Sequence, residues 1–254
     1  MKKRFGSTTT LAAFALVVAS SAVAGTPFGG DDAGFVPPDA ATLACETAVE
    51  KRFAKLIVGV GACQLEAARA GFAGRAFDEE ACEATVRRRY DRGTAGLSGC
   101  PSCLNIGAYA AAEMARIDTL ISALVYCDAT SGKPLGDGDD GGFVPADKTT
   151  EACESQTGKR LGRLAAALVA CHVRLAVDAF RFGAPKAAAA EDRCEAAARA
   201  KYVAAVTDLQ GCPACLDGPH RLGLATIVVQ GENVVVGSAY CASPGGAFLA
   251  TNSN

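Results

Sequence analysis

Hydrophobic residues recur at steps of three and four along two long stretches of the chain, and each stretch begins and ends at a cysteine. Residues three and four positions apart lie on one side of an α-helix, whereas a half-buried strand alternates at every second position. Both stretches are therefore predicted to be helices with one buried face. The twelve positions on these faces are Cys45, Val49, Phe53, Leu56, Val60, Cys63, Cys153, Thr157, Leu161, Leu164, Leu168 and Cys171.

A second helical segment follows each of these stretches. In the first half of the chain it begins near Asp78, where Glu79 and Glu80 suit the positive end of a helix dipole. The pair Glu191 and Asp192 is interpreted in the same way in the second half. The apolar positions are Cys82, Val86, Tyr90 and Leu97, matched by Cys194, Ala198, Tyr202, Val206 and Leu209. These segments are predicted to be the second helix of each half.

The last segment of each half differs in character between the two halves. Residues 110–125 are rich in alanine and predict a helix. Residues 227–229 and 234–236 are mostly valine and flank Gly231, Glu232 and Asn233, which by propensity alone favours a β-hairpin. The helix is preferred because the rest of the pattern is duplicated, and the hairpin stays open as the alternative.

The chain contains an internal repeat that accounts for all twelve cysteines, six in each copy. The segment that starts Gly30-Asp31-Asp32 returns at Gly138-Asp139-Asp140, and the cysteines follow in matched order. The predicted organisation is a first repeat over residues 35–130, a Gly/Asp-rich linker over residues 131–142 and a second repeat over residues 143–245. The predicted fold class is all-α: two tandem disulfide-stapled helical bundles, each of three to four helices.

The N-terminus predicts export. Three basic residues precede a short apolar run, and small residues precede Gly25, so residues 1–24 are interpreted as a signal peptide. The run is too short for a transmembrane helix, and none is expected in the mature chain. An exported chain with twelve cysteines is expected to form disulfides in the periplasm or outside the cell. The formal net charge of −2 argues against nucleic acid as a partner, and the true partner stays unknown.

Helix length restricts the disulfide pairing. Eighteen residues of helix span about 27 Å, so Cys45 and Cys63 lie at opposite ends of their helix and cannot bond to each other. In an up-and-down bundle Cys63 then meets Cys82, and by duplication Cys171 meets Cys194. A straight last helix would leave three cysteines at each end of a bundle. The last segment is therefore expected to break near Asp118 and double back, which gives four helices.

With such a break, four cysteines of each repeat gather at one end of its bundle, and three pairings among them stay open. The two sets are Cys45, Cys100, Cys103 and Cys127, and Cys153, Cys212, Cys215 and Cys241. In two of the pairings each Cys-Pro-x-Cys motif is tied to other cysteines as a structural clamp. In the third the motif closes on itself.

The two Cys-Pro-x-Cys motifs are the strongest candidates for chemistry. Cys100 with Cys103, and Cys212 with Cys215, would suit thiol-disulfide exchange if the first thiol were activated at a helix start. Four sulfurs could also bind zinc, but an oxidising compartment favours a structural clamp. The two histidines, His172 and His220, are interpreted as surface or capping residues. No catalytic residue, metal site or cofactor is predicted.

The order of residues in the first repeat resembles a loose set of exported, cysteine-rich, helical repeat proteins of Gram-negative bacteria that have no assigned activity. The residues that carry the resemblance are Cys45, Lys51, Lys55, Leu56, Cys63, Phe77, Asp78, Cys82, Tyr90, Gly99 and Cys100. The resemblance implies export and a helical cystine fold, and it brings no catalytic residues. The favoured function is a non-enzymatic binding or structural module of unknown ligand, and the alternative is a thiol-disulfide exchange protein.

Overall fold

The computed structural model describes residues 26–136 and 140–242, so the predicted signal peptide lies outside the described residues. The first repeat contains α1 (Ala40–Phe72), α2 (Glu79–Thr94) and α3 (Ile106–Arg116), which continues through a π-helical turn (Ile117–Ile121) into α4 (Ser122–Val125). The second repeat contains α5 (Lys148–Phe182), α6 (Ala184–Val206) and α7 (Gly218–Ala239). Short 3₁₀ turns lie at Ala129–Ser131 and Ala214–Leu216. The all-α fold class is confirmed, with three helical runs in each repeat.

A two-stranded antiparallel hairpin precedes α1. It consists of β1 (Pro27–Gly29) and β2 (Asp32–Phe35). The hairpin precedes the first repeat but packs on the second: β2 contacts α7, and the Phe35 N–H donates to the Tyr240 carbonyl over 2.9 Å. In the reciprocal position, the Phe143 N–H donates to the Tyr126 carbonyl over 2.7 Å. The backbone at Phe35 and at Phe143, a few residues after each Gly-Asp-Asp segment, is therefore bonded to the end of the other repeat.

The helices start where side chains cap the backbone. Asp39 accepts from the Ala41 and Thr42 N–H groups at the start of α1, and Asp147 does the same for Thr149 and Thr150 at the start of α5. Asp78 accepts from the Ala81 N–H at the start of α2, as the acidic residues there predict. An aspartate that accepts at this position satisfies N–H groups that have no partner within the helix.

The predicted apolar faces of α1 and α5 are confirmed, because none of their twelve positions is more than 2% exposed. The two helices pack on each other, and buried residues of both repeats form one hydrophobic cluster. Val49 and Phe53 lie in this core with Leu161 and Leu168. The repeats thus share one core instead of each enclosing its own.

The third helical run of each repeat is continuous. Asp118 does not start a new helix that doubles back, because it lies within the π-helical turn and the run continues to Val125. The valine-rich segment of the second repeat is also helical, as part of α7, so the hairpin alternative is wrong. Within the described residues α7 also has the length and mean hydropathy (1.3) of a membrane span, with 39% of that window buried. The core helix of a soluble protein has the same length and hydropathy, so these properties are only weak evidence for a membrane span.

Six disulfides join all twelve cysteines. Cys63–Cys82 and Cys171–Cys194 are the pairs that helix length predicts. Cys45 bonds to Cys100, and Cys153 bonds to Cys212. The remaining pairs are Cys103–Cys241 and Cys127–Cys215, and both join one repeat to the other.

These cross-repeat bonds correct the expectation that all pairing is internal to a repeat. A continuous third helix does carry Cys127 to the far end of its bundle, away from Cys103. One cysteine at each end of a repeat then has no partner within that repeat. Cys103, before the third helical run of the first repeat, bonds to Cys241, after the third run of the second, and Cys127 and Cys215 form the converse pair. None of the three complete pairings derived from a doubled-back segment is therefore present, although Cys45–Cys100 and Cys153–Cys212 are bonds that one of them contains.

Candidate functional site

Neither Cys-Pro-x-Cys motif closes on itself. Within the first motif Cys100 bonds to Cys45 and Cys103 to Cys241, and within the second Cys212 bonds to Cys153 and Cys215 to Cys127. Each motif thus holds its own first helix with one sulfur and the other repeat with the second. With every sulfur in a disulfide, no thiolate is present for exchange or for zinc. The motifs are structural clamps in this state.

A buried polar cluster, hereafter the His172 cluster, lies where the hairpin meets α5, α6 and α7. Its centre is the Nε2 atom of His172. Four side-chain oxygens surround that atom: Glu195 Oε1 at 3.1 Å, Asn233 Oδ1 at 3.2 Å, Asp32 Oδ1 at 3.4 Å and Glu191 Oε1 at 3.8 Å. The histidine nitrogen and one oxygen from each acid all lie within 4.8 Å of one another.

Four separate elements position these side chains. His172 projects from α5, and Asn233 projects from α7. Glu191 and Glu195 lie one turn apart on α6, so both face α5. Asp32 comes from β2, which closes the cluster from outside. The side chains of His172, Asp32 and Glu191 are at most 1% exposed, and that of Glu195 is 10% exposed.

The electrostatics of the cluster follow from burying three acids beside one imidazole. Burial raises the pKa of Glu191 to about 10, reinforced by the charges of Asp32 and Glu195. Burial also raises the pKa of Asp32 to about 7, although the charge of His172 opposes this. Burial by itself lowers the pKa of His172, but its hydrogen bond to Glu195 and the charge of Asp32 outweigh burial and raise it. Glu191, Asp32 and His172 therefore keep their protons to a higher pH than they would in water.

Several oxygens of the His172 cluster contact other carboxyl groups instead of an N–H donor. Among the described residues, no aligned N–H group reaches Asp32 Oδ1 or either carboxylate oxygen of Glu191, and all three oxygens are buried. Two of them, Asp32 Oδ1 and Glu191 Oε1, lie 3.4 and 3.8 Å from the ring nitrogen of His172. Two carboxyl groups in contact need a proton or a cation between them, because two buried negative charges repel each other.

The first repeat contains a counterpart in which Gln64 replaces His172. The Gln64 Nε2 group donates to Asp118 Oδ1 over 3.0 Å and to Asp140 Oδ1 over 3.4 Å. Glu79 and Glu83 occupy the positions that correspond to Glu191 and Glu195, and burial raises the pKa of Glu79 to about 7 and that of Glu83 to about 11. An amide that donates two hydrogen bonds thus replaces the imidazole, and this set contains no nitrogen ligand.

Two interpretations of the sequence need correction at this site. His172 is not a surface or capping residue, because it is 1% exposed in the middle of α5. Glu191 is not an N-terminal charge of its helix, because α6 begins at Ala184 and Glu191 lies well inside the helix. His220 does occupy a capping turn: its Nδ1 atom lies 2.8 Å from Asp217 Oδ1, and its side chain is 66% exposed.

Sequence reasoning placed no metal-ligating group at these positions, although two signals were present. The alignment of His172 with Gln64 marks a position where the repeats differ in chemistry. The repeated Gly-Asp-Asp segment, interpreted as a linker before the second repeat, contributes Asp32 to one cluster and Asp140 to the other.

A second buried network joins the repeats through α3 and α7. The Arg116 guanidinium donates to Glu113 over 2.6 and 2.8 Å and to Glu232 over 2.6 Å. Tyr109 donates to Glu50 over 2.5 Å nearby. Because Arg116 pairs with carboxyl groups of α3 and α7, this network links the two repeats.

Comparison of the chain with protein-family models, with curated proteins and with solved structures found no match in any of the three.

Proposed function

We propose that this chain is an exported, non-enzymatic binding module whose disulfides hold a preformed polar site where the N-terminal hairpin meets the second repeat. The observation that carries the proposal is the His172 cluster, which is built from four elements of both halves of the chain and closed by the hairpin. The six disulfides support an oxidising compartment, where such bonds persist. The predicted signal peptide is consistent with the same location.

The arrangement of the polar groups favours binding over catalysis. The side chains of the cluster are almost completely buried, so a substrate of ordinary size cannot reach His172 in this conformation. A small ligand that is held by preformed groups loses little conformational freedom in the protein on binding. The site is therefore suited to a small ligand that is retained.

The thiol-disulfide alternative receives less support. Such an enzyme requires an exposed, low-pKa thiol or a strained disulfide within the motif. Here the two cysteines of each motif bond to partners 55 to 138 residues away in the sequence. Reduction would therefore break bonds that tie each motif to its first helix and to the other repeat, and no bond is closed within either motif.

Peptide mapping of the oxidised, purified protein tests the scaffold. We expect fragments that join Cys103 to Cys241 and Cys127 to Cys215, and fewer than about 0.1 free thiols per chain after denaturation. A dilute dithiol should reduce no Cys-Pro-x-Cys motif before the other bonds under native conditions. A Cys100–Cys103 peptide, or early reactivity confined to the motifs, would instead support the exchange enzyme and overturn the proposal.

A further inference from the structure

We propose that the His172 cluster binds one divalent transition-metal ion of the zinc class, with His172, Asp32, Glu191 and Glu195 as its ligands. The inference rests on the proposed function, since it identifies the ligand of that same site. It uses one nitrogen and three carboxylate oxygens that the fold already places together.

The distances fit an ion after small side-chain movements. Ligands that lie about 2.0–2.2 Å from a tetrahedral zinc ion are about 3.3–3.6 Å apart, and opposite ligands of an octahedral ion are about 4.0–4.4 Å apart. The four candidate atoms lie within 4.8 Å of one another, and Glu195 and Asp32 are already 3.1 and 3.4 Å from the histidine nitrogen. The Asn233 oxygen, 3.2 Å from the same nitrogen, is a fifth group within reach.

The unpartnered oxygens provide an independent reason for a cation. Both Glu191 oxygens and Asp32 Oδ1 are buried and accept from no aligned N–H group of the described residues, and Glu191 Oε1 and Asp32 Oδ1 lie 3.8 and 3.4 Å from His172 Nε2. Their desolvation is unfavourable unless a positive charge compensates it. A divalent ion at the centre would contact all three acids at once, whereas each proton that the cluster holds bridges only one pair of groups.

The ligand set determines the class of ion. Calcium and magnesium prefer sites made of oxygen alone, with six to eight ligands for calcium. An imidazole beside carboxylates suits zinc and the neighbouring transition ions. The counterpart in the first repeat lacks the nitrogen, and its Gln64 amide donates hydrogen bonds to Asp118 and Asp140 instead. Transition-metal binding is therefore assigned to the second repeat alone.

The position of the hairpin determines how the ion is retained. Asp32 is the one ligand outside the helices, and the Phe35 N–H bond to Tyr240 holds its strand on α7. An ion bound behind this strand leaves only when the strand moves or when the fold opens. We therefore expect slow loss of the ion to an external chelator.

The test uses the mature, oxidised chain without a polyhistidine tag, because the chain itself has only two histidines. The protein is first treated with a chelator and then titrated with Zn²⁺ by calorimetry, and its metal content is measured after gel filtration. His172→Gln installs the side chain that the first repeat has at this position. His220→Gln is the matched control, since it removes the exposed histidine.

We expect one tightly bound Zn²⁺ per chain for the unaltered protein and for His220→Gln, and about 100-fold or greater loss of affinity for His172→Gln. A hundredfold excess of Ca²⁺ should not displace the zinc. The proposal is overturned if the unaltered chain binds no stoichiometric zinc, if His172→Gln binds as tightly as the parent, or if His220→Gln accounts for the loss. Equal affinity for Ca²⁺ overturns the assigned class of ion.

Two further measurements keep the test decisive if His172→Gln fails to fold, which disulfide mapping and circular dichroism would reveal. Glu191→Gln should weaken zinc binding while preserving side-chain size. In the unaltered protein, bound Co²⁺ should show a visible absorption spectrum that Zn²⁺ then abolishes by displacement, and its absence would count against the site. Correct disulfides without zinc binding would remove only the metal assignment, whereas wrong disulfides would remove the proposed scaffold.

Discussion

Two buried acids at equivalent positions of the repeats show how single residues affect the pH dependence of this protein's stability. Glu46 on α1 and Glu154 on α5 are both 0% exposed. Burial raises the pKa of each carboxyl to about 8, and the backbone N–H groups of Ala242 and Asp128 offset this only in part. Each side chain is therefore protonated in the folded protein at pH values where it is ionised in the unfolded chain.

The raised pKa values predict that the protein loses stability as the pH rises. Between pH 4.5 and 8 the folded state holds protons on Glu46 and Glu154 that the unfolded chain has released. The stabilisation is thus complete below about pH 4.5 and is lost as the pH rises through 8. Urea unfolding at pH 5, 6.5 and 8, with a chelator present, should show a falling free energy of unfolding.

Glu46→Gln should flatten this profile and raise the free energy of unfolding at pH 8, relative to pH 5, by about 1–3 kcal/mol, since one pKa unit corresponds to about 1.4 kcal/mol. The matched control is Glu66→Gln on the exposed side of α1, where Glu66 contacts Arg75. A parent protein that becomes more stable from pH 5 to pH 8 would contradict the prediction.

At the scale of single residues, the sequence predicts burial better than chemistry. Periodicity correctly identifies the buried face that includes Val49 and Phe53, because the spacing of apolar residues repeats in every turn of a helix. It does not reveal His172 as part of a cluster, because the partners Asp32, Glu191 and Asn233 are distant in the sequence. The spacing of Glu191 and Glu195 is the single local sign of this site.

At the scale of elements, the contact between the hairpin and α7 depends on a glycine. A Cβ atom at Gly237 would lie 2.7 Å from the Ala33 Cβ atom and 3.2 Å from the Gly34 backbone nitrogen. Real side chains do not approach so closely, so β2 would have to move. The same strand carries Asp32, which couples this contact to the His172 cluster.

Gly237→Ala should therefore destabilise the protein by about 1–3 kcal/mol through overpacking. Gly223→Ala in the same helix is the matched control, because a Cβ atom there meets nothing within 4 Å. That control should stabilise the helix by about 0.5–1 kcal/mol. Thermal and urea unfolding measure both, and equal effects of the two substitutions would show that the hairpin does not pack on α7 as described.

The elements that sequence reasoning misjudged are those whose form depends on distant packing. The valines of α7 favour strands by propensity, but Val228 and Val236 pack into the core as helical residues. Asp118 has the side chain of an N-cap, yet the π-helical turn accommodates it without ending the helix. In both segments, local preference is weaker than tertiary contact.

At the scale of the whole molecule, the two repeats are joined in three ways. Two disulfides join them, the hairpin of one packs on the other, and α1 and α5 share one core. The cysteine count in each repeat is compatible with internal pairing, which is why the sequence does not reveal these links. The unpaired cysteine at each end of a straight-helix bundle was the sign that a partner must come from outside the repeat.

The shared core predicts one cooperative unfolding transition for both repeats. Replacing the cross-repeat pair by Cys103→Ser and Cys241→Ser should lower the free energy of unfolding by about 2–4 kcal/mol. The reason is that the unfolded chain gains freedom in the loop that this bond closes, which runs from Cys103 to Cys127 and, through the remaining Cys127–Cys215 bond, from Cys215 to Cys241. The transition should remain single, since α1 and α5 still pack on each other. Differential scanning calorimetry measures this as equal calorimetric and van't Hoff enthalpies.

The matched control replaces Cys63 and Cys82, a pair only 19 residues apart within one repeat. Because a shorter loop constrains the unfolded chain less, its loss should lower the free energy of unfolding less than loss of the cross-repeat pair. Two separate transitions in the cross-repeat variant, one at the parent's melting temperature, would contradict the shared core. That result would mean that each repeat folds by itself and that the disulfides merely tether two independent bundles.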